Sequence, residues 1–220
     1  MRRAVSLALL CACAGLAGTP TLIFTKSFPG STPPFVFISV DRQGALQYKE
    51  DPKDQPLATA QLPETDTAAL FDLAERLQFF KQPLESGLKV ANTGKKTFRY
   101  VDANGAVTDA VFNYSLDESA KALWDRFEQI AASERAYLDL DRTVHFDKLG
   151  VNDALAEIEE LWLQKQLAAP MQFIPLLTRV INHESFMHLA RERAARLKDE
   201  FSGASQSAAA VDKTAAGSKK

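Results

Sequence analysis

The pattern of apolar and polar positions begins, after the N-terminal segment, with two short β-rich runs over residues 35–40 and 45–49. Apolar side chains fall on both faces of the first run, which is typical of a strand that is covered on two sides. The four residues between the runs end in Gly44, which adopts the positive φ of a tight turn at little cost. The sequence therefore predicts an antiparallel hairpin, followed by a further short strand at residues 57–61.

A second hairpin is predicted from residues 97–101 and 106–114, which flank the dipeptide Asn104-Gly105. Asn-Gly between two β-rich runs is a strong hairpin signal, because both residues tolerate a positive φ. The two hairpins together predict a small antiparallel sheet.

Two apolar stripes, each a set of apolar residues at helical spacing, accompany the hairpins. Apolar residues recur at helical spacing after Pro63, which suits the first turn of a helix. A second stripe follows Ser115 and Glu118, which form a capping-box pattern with the serine as the cap. This order of elements predicts an α+β domain over residues 35–132, with two helices on one face of the sheet. The apolar positions of the two stripes are Leu70, Leu73, Leu77, Phe80, Leu123, Trp124, Phe127 and Ile130.

After the second stripe the hairpin signals stop and helical spacing takes over. Residues 137–149 fit a strand or a helix, and we favour a helix because helices follow. Asn152 is expected to cap the next helix, and Pro175 to start or kink another. The sequence predicts an all-α segment of three to four helices over residues 133–201. The alanine- and serine-rich tail, residues 202–220, contains too few large apolar residues to pack and is expected to be disordered.

The N-terminal segment is built differently from the rest of the chain. Residues 1–17 carry two arginines, then an uncharged apolar run, then small residues before a cleavage position after Ala17, the pattern of a secretory signal peptide. Residues 18–34 contain four prolines and are expected to form an extended lead-in, in which residues 22–24 make a short edge strand. We therefore expect the protein to be exported, to the periplasm or the outside of the cell.

Both cysteines of the sequence, Cys11 and Cys13, lie in the first segment. Cleavage after Ala17 leaves a chain without thiols for disulfides, nucleophilic catalysis or metal binding. Two alternatives stay open. Residues 10–13 loosely resemble a lipobox, which predicts lipidation at Cys13, and residues 4–25 carry no charge, which suits an uncleaved anchor. Contact with a membrane is expected only in those two cases.

Composition and charge exclude several classes of protein. The 26 basic and 28 acidic residues give a formal net charge of −2. A chain with this balance lacks the basic footprint of a nucleic-acid-binding protein. A hydrophobic fraction of 46% is ordinary for a globular protein and excludes disorder of the whole chain.

The most suggestive functional cluster is His183, Glu184 and His188, which is close to the zinc pattern of two histidines at i and i+4 around a glutamate. Here the histidines are five residues apart, so on a helix their side chains diverge by about 140°. A surface charge network, in which His188 also faces Glu192, explains the cluster better than a metal site.

His145 lies near three carboxylates in the sequence, Asp139, Asp141 and Asp147. Such a group suggests acid–base chemistry or a divalent cation, but the run lacks the glycine and final glutamate of a calcium loop. Solvated polar positions explain it better. No catalytic, cofactor-binding or metal-ligating residue is therefore assigned, and no cofactor is expected.

A set of short motifs runs through the first half of the chain: GSTPPF at 30–35, ISVDRQGALQY at 38–48, Leu62-Pro63, Phe79-Phe80 and TFRY at 97–100. In this order the motifs resemble a bacterial exported family of unknown function. The resemblance covers residues 30–133 and implies export and an α+β fold, with no activity to transfer. Members often carry a cysteine where Thr32 stands, so any role of that thiol is absent from this chain.

The sequence favours an exported, non-catalytic binding or scaffolding module of the bacterial cell envelope, with an unknown protein or peptide as its partner. Pairs of helices offer the grooves in which peptides bind. Two alternatives stay open: a hydrolase that uses His145 or the group His183, Glu184 and His188, and a membrane-anchored structural lipoprotein attached through Cys13.

Overall fold

A computed structural model describes residues 18–217, with side chains described as far as residue 204. Its strands are β1 (Thr21–Ser27), β2 (Phe35–Asp41), β3 (Ala45–Lys49), β4 (Ala58–Gln61), β5 (Lys95–Val101) and β6 (Val107–Phe112). They form one sheet in the order β4-β3-β2-β1-β5-β6, and every neighbouring pair is antiparallel. The sheet thus extends from β1 in both directions.

The α-helices of the described residues are α1 (Glu64–Arg76), α2 (Glu118–Phe146), α3 (Val151–Leu163), α4 (Ile174–Asn182) and α5 (His188–Gly217). The buried side chains of the sheet share one apolar core with α1 and the first half of α2. The remaining helices follow in the C-terminal half of the chain. This architecture confirms the predicted α+β class. The sheet is larger than the small sheet of two hairpins that was predicted, because β1 and β4, which were predicted only as short separate strands, join it as well.

β1 lies at the centre of the sheet, where the sequence predicts a proline-rich lead-in with a short edge strand. Leu22 and Phe24 are fully buried. Phe24 pairs with Ile38 of β2 on one side and with Phe98 of β5 on the other. The prolines flank the strand and leave its hydrogen-bond ladder intact. The edge-strand prediction is therefore wrong, because burial of these apolar side chains decides the position of the strand.

α2 begins with a different cap from the one predicted. Asp117, not Ser115, is the N-cap residue, and its Oδ1 accepts a hydrogen bond of 3.0 Å from the Ala120 backbone N–H. Ser115 Oγ instead accepts a bond of 3.2 Å from the Asp117 backbone N–H. Both residue types are good caps. Asp117 takes the role because it directly precedes the first helical residue.

One long helix connects two apolar cores. α2 has 29 residues and passes through the domain boundary predicted between residues 132 and 133. The ambiguous residues 137–149 are helical as far as Phe146. The buried residues of α2 up to Ala131 belong to the core of the sheet and α1, whereas its buried residues from Ala136 onwards belong to the core of α3, α4 and α5. Tyr137 packs against both cores.

The ends of the later helices agree with the sequence only in part. α4 has Pro175 in its first turn, as predicted. α3 is capped at Gly150 and not at Asn152. Asn152 Oδ1 instead accepts a hydrogen bond of 2.6 Å from Arg193 Nη1 of α5, so this side chain holds two helices together.

α5 continues to Gly217, through most of the tail that the sequence predicts to be disordered. Phe201, a fully buried residue, belongs to the second core. Beyond it the chain is rich in alanine, the residue with the highest helix propensity. The backbone helix therefore continues because alanine favours it locally. The prediction of disorder considered only whether the tail can pack.

Residues 1–17, with the predicted signal peptide and both Cys11 and Cys13, lie outside the described residues. Cleavage, lipidation and retention of this segment therefore stay predictions. Across residues 18–217, no helix combines the length and the apolarity needed to cross a bilayer.

Candidate functional site

A cleft of about 480 Å³ opens where α1, α2 and the C-terminal end of α3 meet. Its floor is formed by Leu62, Leu70 and Ile130, which are all buried. Clefts of about 300–1,000 Å³ with mostly apolar walls and a few polar groups are typical of ligand-binding sites. The other lining residues are Asp66, Arg126, Gln129, Trp162, Leu163, Lys165, Gln166, Leu167 and Ala168.

Helical spacing brings these side chains together. Asp66 and Leu70 are four residues apart on α1, and Arg126 and Ile130 are four apart on α2, so each pair lies on one face of its helix. Both helices pack on the same side of the sheet. The cleft is the space between these two faces, and the segment 164–169 between α3 and α4 closes one end.

Buried hydrogen bonds fix that end of the cleft. Ser133 of α2 is fully buried. Its Oγ donates to the Gln129 carbonyl at 2.9 Å and accepts from the Ala168 backbone N–H at 2.7 Å. The closing segment is therefore attached to the middle of α2, and the cleft does not depend on a loose loop for its shape.

The polar rim carries two cations and one carboxylate. None of the ion pairs between described residues includes Arg126 or Lys165. Arg126 Nη1 makes one long hydrogen bond, 3.4 Å, to Gln129 Oε1. Asp66 is exposed at the rim, where partial desolvation of its carboxylate raises the pKa of Asp66 and the Arg126 guanidinium partly offsets this. The rim therefore offers more hydrogen-bond donors than acceptors to a ligand.

A buried carboxyl group lies one residue beyond Ser133. Glu134 is 0% exposed, and its Oε1 accepts a hydrogen bond of 2.9 Å from Gln172 Nε2. Glu134 Oε2 and Gln172 Oε1 are buried and have no hydrogen-bond partner among the described residues. Burial raises the pKa of Glu134 to about 7, although the bond from Gln172 acts in the opposite direction. Glu134 Oε2 and Gln172 Oε1 can both only accept. Protonation of the Glu134 carboxyl group supplies this pair of oxygens with the hydrogen that it lacks.

A buried lysine supports the sheet beneath the first half of α2. Lys96 of β5 is fully buried, and its Nζ donates to Thr93 Oγ1 and to the Asn113 carbonyl, both at 2.8 Å. The same Nζ lies 4.5 Å from the centre of the Trp124 ring. Burial is the main cause that lowers the pKa of Lys96. Because its hydrogens are used in these contacts, we interpret Lys96 as a structural residue.

Replacing Lys96 with methionine should lower the free energy of unfolding by about 1–3 kcal/mol, because the charge-assisted hydrogen bonds from its Nζ to Thr93 Oγ1 and to the Asn113 carbonyl are lost. Urea denaturation at constant pH measures the effect. Lys95→Met is the matched control, since Lys95 is the exposed neighbour on the same strand. The control should stay within about 0.5 kcal/mol of the wild type. Equal denaturation midpoints for the two variants would contradict the structural role of Lys96.

His145 connects α2 to α4. Its Nε2 lies 3.0 Å from Arg179 Nη1, and its Nδ1 lies 2.8 Å from the Asp141 carbonyl oxygen. Since arginine only donates, Nε2 is the acceptor and Nδ1 carries the hydrogen. Both ring nitrogens are therefore used in contacts within the helical half, and His145 is not among the residues that line the cleft.

Of the three carboxylates near His145 in the sequence, Asp141 contacts the ring, because its Oδ1 lies 3.3 Å from His145 Nδ1. The other two make separate contacts. Asp139 pairs with Arg142, and Asp147 accepts a hydrogen bond of 3.2 Å from the Gly150 backbone N–H. In the described part of the chain, no group of three or more histidine, cysteine, aspartate or glutamate side chains is arranged to hold a metal ion.

The other two histidines lie on different elements. His183 is the C-cap residue of α4, and His188 is the first residue of α5. Both are exposed, as is Glu184 between them. His188 Nδ1 lies 3.5 Å from Glu192 Oε2, which is the surface contact that the spacing favours.

The sequence reasoning did not identify the two buried charges, although the pattern contained a signal for each. Lys96 alternates with Phe98 along β5, so both point into the core. Glu134 lies four residues after Ile130 and three before Tyr137, on the apolar stripe of α2. A charged residue at a position that faces the core was the signal for each. Such residues are buried only when they have partners or a shifted pKa.

No family model matches this chain, and neither a curated protein nor a solved structure matches it. The resemblance over residues 30–133 therefore stays a prediction.

Proposed function

We propose that this chain is an exported, non-catalytic binding or scaffolding module of the bacterial cell envelope. We further propose that it binds its partner in the cleft between α1, α2 and residues 162–168. The observation that carries the proposal is an apolar cleft of about 480 Å³ whose rim holds Arg126 and Lys165 outside every ion pair of the described residues.

The construction of the cleft supports a binding role. Two of its walls are helices that pack on the sheet, and Ser133 attaches the segment that closes its end. A site that is ordered before binding loses little conformational entropy when a partner enters. Export is supported by the signal-peptide pattern of residues 1–17.

The two alternatives have less support. For a hydrolase, His145 makes contacts through both ring nitrogens, while His183 and His188 are exposed on separate elements. For a lipoprotein attached through Cys13, the support is a loose resemblance of residues 10–13 to a lipobox, whereas the whole of residues 1–17 fits a signal peptide. Both alternatives stay predictions.

Photo-crosslinking in the native host tests the proposal. The side chains of Leu163 and Leu149 are 74% and 76% exposed, but Leu163 lies on the cleft and Leu149 lies before the opposite end of α3. We expect p-benzoylphenylalanine at position 163 to form a covalent adduct on irradiation, and the same residue at position 149 to form none. The adducts are measured by gel shift and by intact mass.

The position of the covalent adduct decides whether the partner binds in the cleft. An adduct at position 163 alone supports binding in the cleft, whereas equal adducts at both positions, or none, contradict it. The intact mass of the same purified protein also identifies its N-terminus. A chain that starts at Gly18 supports export, and a retained Met1 argues against cleavage.

A further inference from the structure

We infer that the cleft binds a single-chain carboxylate amphiphile, the chemistry of a free fatty acid, with its alkyl chain on the apolar floor and its carboxylate on Arg126. This inference rests on the proposed function, because it concerns the same cleft. It adds the chemical class of the ligand.

The floor of the cleft suits an alkyl chain. Leu62, Leu70 and Ile130 are buried there, and Trp162 and Leu167 extend the apolar wall. A peptide would bring backbone N–H and C=O groups onto this floor, where α1 and α2 use most of their own backbone groups within the helices. An alkyl chain has no polar group that needs a partner.

The rim suits one negative charge. The guanidinium of Arg126 presents several N–H groups in a planar fork that matches a carboxylate. Among the residues that the structure describes, it uses one of these N–H groups, in a bond of 3.4 Å. Lys165 adds a second cation at the rim. Asp66 contributes the opposing charge, which disfavours a ligand with two negative charges. The balance of charge at the rim favours a monoanion over a phosphate monoester, which carries close to two negative charges, or a cation.

Calorimetric titration of the purified protein distinguishes the ligand classes. The probes are dodecanoate, dodecanol and dodecyltrimethylammonium, each below its critical micelle concentration. They share one alkyl chain and differ in the charge of the head group. We expect dodecanoate to bind about tenfold more tightly than dodecanol, because it adds a charge-assisted bond to Arg126. The ammonium probe should bind most weakly.

Three variants assign the head-group contact. Arg126→Gln should weaken dodecanoate binding by about tenfold. Asp66→Asn should strengthen it by about threefold, since it removes the opposing charge. Arg99→Gln is the matched control, because it makes the same change at an exposed arginine of β5 that pairs with Asp109, away from the cleft. The control should leave binding unchanged, and unchanged urea midpoints check that each variant is folded.

The inference is overturned if the three probes bind equally, or if Arg126→Gln binds dodecanoate as tightly as Arg99→Gln does. Binding of the ammonium probe that weakens in Asp66→Asn would reverse the assigned ligand charge and also overturns it. If dodecanoate does not bind while the adduct at position 163 forms, the ligand class is wrong and the proposed function stands. If dodecanoate does not bind and no adduct forms, the ligand class and the proposed function are both wrong.

Discussion

Replacing Phe24 with alanine should lower the free energy of unfolding by about 3–5 kcal/mol. Phe24 is fully buried in the middle of β1. Its ring centroid lies 5.0 Å from that of Phe127 on α2 and 5.8 Å from that of Phe98 on β5. The substitution therefore opens a cavity where the centre of the sheet meets the long helix. Urea denaturation at constant pH and temperature measures the loss.

Ile23→Ala is the matched control for this position. Ile23 is the preceding residue of the same strand and is half-buried on the other face of the sheet. Its replacement should cost about 1 kcal/mol, because little cavity forms at a partly exposed site. A cost for Phe24→Ala no larger than that of Ile23→Ala would show that β1 does not occupy the centre of the sheet.

Replacing Glu134 with glutamine should make the protein more stable by about 3 kcal/mol above pH 7, where the wild type carries a buried carboxylate. Glutamine keeps the bond from Gln172 Nε2 to its carbonyl oxygen, and its own amide can donate to Gln172 Oε1. The amide nitrogen takes the place of Glu134 Oε2, and Gln172 Oε1 gains a donor, so neither of the two acceptors that lack partners in the described residues remains. The free energy of unfolding is measured by urea denaturation at a series of pH values.

The direction of the pH dependence follows from the raised pKa. The folded protein holds the Glu134 proton up to a pH of about 7, whereas an ordinary glutamate releases it near 4.5. Between these values the folded state binds more protons, so the wild type loses stability as the pH rises. This part of the profile should be absent from Glu134→Gln and present in Glu75→Gln, an exposed position on α1. Parallel profiles for wild type and Glu134→Gln would refute the assignment.

The neighbouring titratable groups do not produce the same effect. Tyr48 and Tyr137 lie close enough to interact with Glu134. Burial raises the pKa of each tyrosine above its ordinary value, so both stay neutral near pH 7. The difference between the wild-type and Glu134→Gln profiles therefore isolates the glutamate.

Elements with local signals were predictable from the sequence. Gly44 and the dipeptide Asn104-Gly105 mark turns between consecutive strands, and the residues that define such hairpins are neighbours in the chain. A short strand was predicted at residues 22–24, but the central position of β1 was missed because its second partner, β5, is distant in sequence. Nothing within residues 21–27 shows that a strand will pair on both sides. Its place depends on Phe24 meeting Phe98, which is a property of the whole fold.

Helix caps show how local signals can mislead by a few positions. Ser115 and Asp117 are both acceptable caps, and the sequence pattern favours the serine because Glu118 completes a capping box. In the structure the aspartate caps α2. At α3, Asn152 was available as a cap but is used to bind Arg193 instead. Tertiary contacts decide between alternatives that local preference leaves nearly equal.

The cleft could not have been predicted from the sequence. Its residues come from α1 and the residues just before it, from α2, and from the end of α3 with the connection that follows. None of these segments contains a recognisable binding motif. Arg126 is an ordinary polar position on a helix until Asp66 and Trp162 are brought to the same space. The sequence could predict grooves between helices in general, whereas their location and charge required the fold.

The central position of β1 also determines the order in which the sheet can form. A nascent chain that has emerged only as far as α1 contains β1 to β4, and β1 is then an edge whose backbone groups lack a second partner. Such an edge is a template for pairing with another chain. It is covered only when β5 becomes available, so the contacts that complete the sheet are non-local and form late. Aggregation of this protein is therefore expected to be greatest while synthesis is between α1 and β5.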